Sequence, residues 1–162
     1  MQLDEATKFF GYPHENKDFD IYLTSLGINE RPRWEDNPIA YVTKEDSGFV
    51  FIFGSKSSYE EYHGRAIDGG QMIFEGIQLY SDKYKNTMSP YQLELPFSLN
   101  FNMGLDAIKH ILGEPNLDHP SGPLNTVYVW RNFKKYSIGI CCLPNDKGVV
   151  FFDIKPTQLR YL

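Results

Sequence analysis

Residues 95–115, LPFSLNFNMGLDAIKHILGEP, decide how this 162-residue chain is read. Leu95, Phe97, Leu99 and Phe101 alternate with other residues, the spacing of a strand whose start tolerates Pro96. Asn102 then offers a side chain able to cap a helix. Leu105, Ile108, Ile111 and Leu112 follow at helical spacing and form one apolar stripe. Asp106 sits in the first turn, with Lys109 and His110 in the last, which suits the helix dipole. Gly113 and Pro115 stop the helix. The stretch therefore predicts an extended arm and one amphipathic helix packed on a sheet.

The same order precedes it. Leu3, Ala6, Phe9 and Phe10 predict a short helix that Gly11 and Pro13 end. Phe19, Tyr22, Leu23 and Leu26 predict a second, stopped by Gly27. Residues 28–38 read as a charged, Pro-containing loop. Strands are expected over residues 39–43, 49–53 and 72–80, the last bulged at Glu75-Gly76, where glycine weakens regular pairing. Residues 54–70 read as a polar hairpin insertion. After the Leu-Gly-Glu-Pro stop, residues 116–124 read as a loop, and strands are expected over 126–130, 136–142 and 149–154.

Helix ending in Leu-Gly, polar loop, strand, apolar strand and strand thus occur twice. Leu26-Gly27 matches Leu112-Gly113, and residues 72–77 match 149–154. The implied fold class is α+β: two tandem helix-plus-antiparallel-sheet units, residues 1–94 and 95–162, with the helices on one face. In this reading Val127, Val129, Val150, Phe152 and Ile154 face the helices. Tyr128, Trp130 and Phe151 are left on an open aromatic face, a surface type rich in binding hot spots.

Composition narrows the function. Apolar content of 41% and aromatic content of 15% are enough for a sizeable core. A net charge of −5 disfavours direct nucleic-acid binding and suits a basic protein partner. No apolar run reaches the roughly 20 residues that span a bilayer. The first ten residues lack the pattern of a signal peptide. Cys141 and Cys142 are neighbours that would point to opposite faces of a strand, so a reduced, cytosolic compartment is expected.

No catalytic signature emerges. His14, His63, His110 and His119 show no metal-ligand spacing, and no cofactor-binding motif is present. Cys141 and Cys142 lie in an apolar strand, away from any helix N-terminus that would activate a thiol. Two acidic, aromatic segments instead offer contacts for a basic partner. They are Tyr59-Glu60-Glu61-Tyr62 in the insertion and Trp34-Glu35-Asp36 in the first loop.

Gly11-Tyr12-Pro13, Asp18-Phe19-Asp20, Leu23 to Gly27, Phe49 to Phe53, Ile77 to Tyr80, Leu95-Pro96-Phe97 and Leu112 to Pro115 together carry a resemblance. Their order resembles a widespread group of bacterial proteins that often lie beside secreted toxins and look like their immunity proteins. The tandem layout is similar to that of the beta-lactamase inhibitor protein, which grips an enzyme with a concave sheet, although this chain lacks that protein's two disulfide-forming cysteine pairs. The resemblance implies a non-catalytic protein that occludes the active site of a cognate toxin. The alternative is a small ligand-binding module or enzyme using the cleft between the two units. Neither reading names the toxin or an oligomeric state.

Overall fold

The computed structural model describes residues 1–162 apart from Asp36, Asn86 and the side chain of Tyr161. The chain is α+β. Strands β1 (Ile39–Lys44), β2 (Phe49–Ser55), β3 (Met72–Tyr80), β4 (Leu117–Ser121), β5 (Asn125–Phe133), β6 (Tyr136–Cys142) and β7 (Val149–Pro156) form one antiparallel sheet in the order β1-β2-β3-β7-β6-β5-β4. Four α-helices accompany it: α1 (Leu3–Ala6), α2 (Lys17–Ser25), α3 (Lys56–His63) and α4 (Leu105–Leu112).

The main core joins α1, α2 and α4 to the sheet. Leu3, Phe10, Phe19, Leu23, Ile108 and Leu112 pack there with inward residues of every strand from β1 to β3 and from β5 to β7. Phe74 is its hub. Its ring lies 5.0 Å from Phe10, 5.1 Å from Phe19, 4.8 Å from Phe51 and 5.3 Å from Phe53, all tilted. Phe19, Phe51, Phe53 and Phe74 are fully buried. Tilted aromatic pairs contribute about 0.5–1.5 kcal/mol each beyond their area burial.

Two β-bulges set which side chains reach this core. On β3, Ile52 pairs with Gly76 and Phe53 with Phe74, so Glu75 is the extra residue, as the sequence predicts. On β7, Cys141 pairs with Phe151 and Cys142 with Val149, so Val150 is extra. An inserted residue inverts the alternation of faces. Phe74 and Ile77 therefore both point inward, as do Val149 and Phe152. The second bulge is held by Ser81, whose buried hydroxyl donates to the Val149 and Val150 carbonyls at 2.6 and 3.1 Å.

Several expectations are corrected. Residues 95–101 are not a strand: Pro96–Ser98 form a 3-10 turn with Phe97 at φ 61°. Asn102 does not cap α4; that helix begins after Gly104, and Asp146 from the β6–β7 connection accepts the Leu105 N–H at 3.1 Å. The insertion is helix α3 rather than a hairpin. Residues 117–121, read as loop, form edge strand β4, whose Pro120 withholds a donor from further pairing.

The facing of β5 is the reverse of that expected. Trp130 is buried at 3% exposure, and its Nε1–H donates to the Gly113 carbonyl at 2.9 Å. Tyr128 packs against the main core as well. Val127 and Val129 instead share the opposite-face cluster with Cys141, Val150 and Phe151. Val150 departs from expectation because of the bulge. Phe151 lies outward and Phe152 and Ile154 inward, as read from the alternation.

Asp146→Ala removes the cap from α4 and is expected to lower stability by about 0.5–2 kcal/mol in equilibrium urea unfolding. Asp146→Asn keeps an acceptor and should lose far less. Phe74→Ala empties the hub and should cost about 3–5 kcal/mol in the same measurement.

Candidate functional site

The sheet face opposite the main core carries a trough. Helix α3 flanks its first-half end, with Tyr59 packed on Ala66 and Ile73. At the other end Tyr84, in the connection that follows β3, meets Tyr80 at a ring distance of 4.4 Å. Between them lies a depression of about 320 Å³. Its walls come from β3 to β7, including Gln78, Val129, Phe151, Asp153 and Lys155.

Three glycines let charged side chains lie flat on this face, and Gly139 lines the depression itself. A Cβ on Gly54 would overlap the Glu75 carboxylate. One on Gly76 would press within 3.2 Å of Lys155 Cγ, and one on Gly139 within 3.4 Å of Asp153 Cβ. Each charged side chain therefore lies across a glycine of a neighbouring strand, sunk into the face rather than standing on it.

The three charges are unequally partnered. Lys155 Nζ sits 3.9 Å from Glu75 Oε1. Burial still raises the Glu75 pKa, with Lys155 opposing the shift. Asp153 lies between Gln78 on β3 and Gly139 on β6. Its Oδ1 is buried and accepts no hydrogen bond. Burial pushes its carboxyl up to about 6, with Lys155 pulling down and Glu75 pushing up. An ionised carboxylate so placed lacks a donor, and a donor brought by another molecule would relieve it.

A second concavity, a groove of about 650 Å³, runs along β1 at the sheet edge. Asn29 to Arg33, Glu35 and Asn37 line it opposite Ile39 to Val42. Arg31 is engaged there with Asp20 at 2.7 Å. Among its described residues the groove has no buried side-chain atom without a partner of the kind that marks the trough.

The residues singled out from sequence fall in separate places. Trp34 is 50% exposed beside the edge groove, Glu35 lines it, and Asp36 lies outside the described residues. In α3, Tyr59 is buried and Tyr62 lies under the Arg160 guanidinium at 5.3 Å. Glu61 pairs with Arg160. Glu60 pairs with Lys56 at 3.3 Å and accepts the Ala66 N–H, which lowers its pKa. The acidic pair is thus already matched within the chain. Tyr128 and Trp130 belong to the core side, and Phe151 alone of the set lines the trough.

Glu75, Asp153 and Lys155 escaped the sequence reading. The available signal was an acidic residue in each central strand amid apolar neighbours, IFEGI and FFDIK, with one lysine two residues beyond the second. Buried cysteines add nothing reactive: burial raises the Cys141 thiol and pushes Cys142 up to about 12. Among the described residues no group of three or more His, Cys, Asp or Glu is placed to hold a metal ion. No helix among them is long and apolar enough to cross a membrane.

The Asp153 shift makes stability pH-dependent. A carboxyl whose folded pKa is raised stabilises the fold below its unfolded value near 4 and loses that contribution as pH rises through about 6. The loss is at most about 3 kcal/mol. Asp153→Asn is therefore expected to melt above the wild type at pH 7.5. The gap should close toward pH 4, as read by thermal unfolding across that range.

No protein-family profile matches the sequence. No curated protein matches it. Among solved structures it is similar to a DUF4309 family protein (YjgB) from Bacillus subtilis, at 13% identity and a TM-score of 0.46, over 90% of this chain and 82% of that one. Likeness at that level carries no functional argument.

Proposed function

We propose that the chain is a non-catalytic binding protein whose trough-bearing sheet face docks on a protein partner. The observation that carries this is the buried Asp153 Oδ1 without a donor, in a depression where Val127, Val129 and Phe151 stand beside Gln78, Arg131 and Lys155, on a face that no helix of the main core covers. Buried polar groups need partners, and aromatic and charged side chains placed together are the composition of a binding hot spot. The face offers Val127, Val129 and Phe151 as its apolar part.

Together with the sequence resemblance, this supports an immunity protein of the cytosol that occludes a toxin's active site. Two tandem units are part of the same reading. The strand order β1-β2-β3-β7-β6-β5 runs outward on either side of the β3–β7 seam in matching sequence, and supports residues 1–94 and 95–162 as repeats. Helices α1 and α2 then serve the first unit and α4 the second, on one side of the sheet.

The alternative of a small-molecule module or enzyme has a cavity of suitable polarity, but among the described residues no group of three or more His, Cys, Asp or Glu is placed to give it a metal centre.

The test is binding to a toxin domain encoded beside this chain, measured by calorimetry with purified proteins. Tight binding is expected, and Phe151→Ala should weaken it at least tenfold, about 1.4 kcal/mol or more. Charge removal by Glu60→Gln with Glu61→Gln should change it less than threefold, because both carboxylates are paired internally. Absence of binding, or full affinity in Phe151→Ala, would refute the docking face.

A further inference from the structure

We infer that the edge of β1 is a docking strand: an extended segment of a partner protein, with an aromatic or β-branched residue opposite Tyr41, pairs with residues 39–43 and prolongs the sheet. This edge lies beyond β2, outside the depression on the sheet face, and its pairing stands or falls independently of the docking face above.

The phase of the β1–β2 ladder decides which backbone groups are free. Ile39 pairs with Gly54, and the Ser55 N–H donates to the Pro38 carbonyl at 2.7 Å. Pro38 and Ser55 are therefore a hydrogen-bonded pair, and alternation makes Ala40, Val42 and Lys44 the next residues bonded to β2. Ile39, Tyr41 and Thr43 turn their N–H and C=O groups away from it. The Ile39 N–H donates to Asn37 Oδ1 at 3.1 Å. The Ile39 carbonyl and both backbone groups of Tyr41 and Thr43 have no partner among the described residues. A row of donors and acceptors repeating about every 7 Å is met in register by extended backbone. A helix has spent those groups within itself.

Sheet edges are normally blunted against such pairing. The opposite edge strand, β4, carries Pro120. β1 has no proline between Ile39 and Lys44, and its lysine is tied at the strand end to Asp46 at 3.0 Å. Mid-edge stands Tyr41, 59% exposed.

The space along the edge fits one chain. The groove of about 650 Å³ beside Ile39 to Val42 adjoins a hollow of about 590 Å³ beside Tyr41 to Asp46, so together they follow β1 from end to end. Asn29 and Glu30, in the loop before β1, line both. A slot with the strand on one side and that loop on the other takes a single extended segment. A second copy of this chain would bring its own loop and sheet into the same slot.

Facing sets the side chains of the segment. Val42 is buried on the core side, so Tyr41 points to the other face. The residue paired with Tyr41 lies beside its ring, where aromatic and β-branched cross-strand pairs stabilise most. The residues next to it face Ala40 and Val42, which pack on the main core, and aliphatic side chains suit them.

The experiment is an NMR titration of the whole chain with the palindromic peptide acetyl-Lys-Thr-Val-Tyr-Val-Thr-Lys-amide. Its Tyr and Thr side chains fall on the face of Tyr41 and its valines on the other. Amide hydrogen exchange is the readout. Without peptide, the Tyr41 and Thr43 amides are expected to exchange about tenfold faster than those of Ala40 and Val42. The peptide should bind saturably with a Kd of about 1 mM or below. At saturation it should slow exchange at Tyr41 and Thr43 about tenfold and leave Ala40 and Val42 unchanged.

Two methylated peptides test the ladder. N-methylation at the Tyr and both Thr removes the donors that face β1 and should weaken binding about tenfold or more. N-methylation at the two valines, whose N–H groups face away, should change it by less than about threefold. Thr43→Pro deletes an outward donor where an edge tolerates proline, and should also weaken binding about tenfold. If that variant unfolds, the methylated peptides decide alone, since they act on the unaltered chain. Absence of binding, equal loss with both methylated forms, loss with neither, or full affinity in a folded Thr43→Pro overturns the proposal. Protection of Tyr41 and Thr43 that grows with protein concentration, without peptide, overturns it in favour of a second copy.

Discussion

The fold depends on keeping Phe74 in the core. Four aromatic rings from the N-terminal segment, α2 and β2 close on it, so its facing fixes how the helices meet the sheet. Strict alternation would then send Ile77 and Leu79 outward. The bulge at Glu75 removes that conflict by spending one residue on a change of phase. The residue so spent is an acid, and it is delivered to the opposite face. The second bulge, at Val150, repeats the manoeuvre on β7 and brings Phe151 and Asp153 to that face. The trough is thus a by-product of core packing on both central strands.

That origin explains why its burial is so uneven in cost. Glu75 and Lys155 lie close enough to moderate each other, while Asp153 lies over Gly139 with one oxygen enclosed. A buried acid without a partner is a standing cost to stability, of the kind that accumulates at functional sites more than in structural cores. The main core has an orphan of its own in the buried Tyr22 hydroxyl, but that group is uncharged and costs less to leave unpaired. The Trp130 indole finds the free carbonyl of Gly113 that the helix stop leaves exposed.

Much of the architecture was legible from residue order. The helices over 3–10 and 18–26 and the strands of both halves lie where periodicity and Gly-Pro punctuation put them, and glycine after an acid announced the β3 bulge. Facing was harder. On β5, residues 127–130 are apolar at every position, so alternation alone could not choose a side. The choice was made by an indole needing an acceptor on a helix distant in sequence. Local reading also missed α3, because its low apolar content hides a helix held by one buried tyrosine, a serine cap from Ser55 and tail contacts through Arg160. For the same reason the acidic pair in α3 looked free when both members were claimed. The trough itself needed the sheet order, since Gln78, Asp153 and Gly139 become neighbours only when β3, β7 and β6 pair.

The seam between β3 and β7 has a kinetic meaning as well. The ladder there spans four residue pairs, Ile77 to Tyr80 against Phe151 to Ile154, while the hairpins on either side close over shorter stretches of chain. Long loops are the slowest to close, so the hairpins are the natural early structure and the seam the late one. Asp153 straddles that seam, with Gln78 on one side and Gly139 on the other. The second half supplies nearly all of the trough, and the first adds Gln78 across the seam. Closing the seam therefore adds one polar wall to a trough that the second half already shapes: a chain with its halves formed but unjoined would present that trough with one side open.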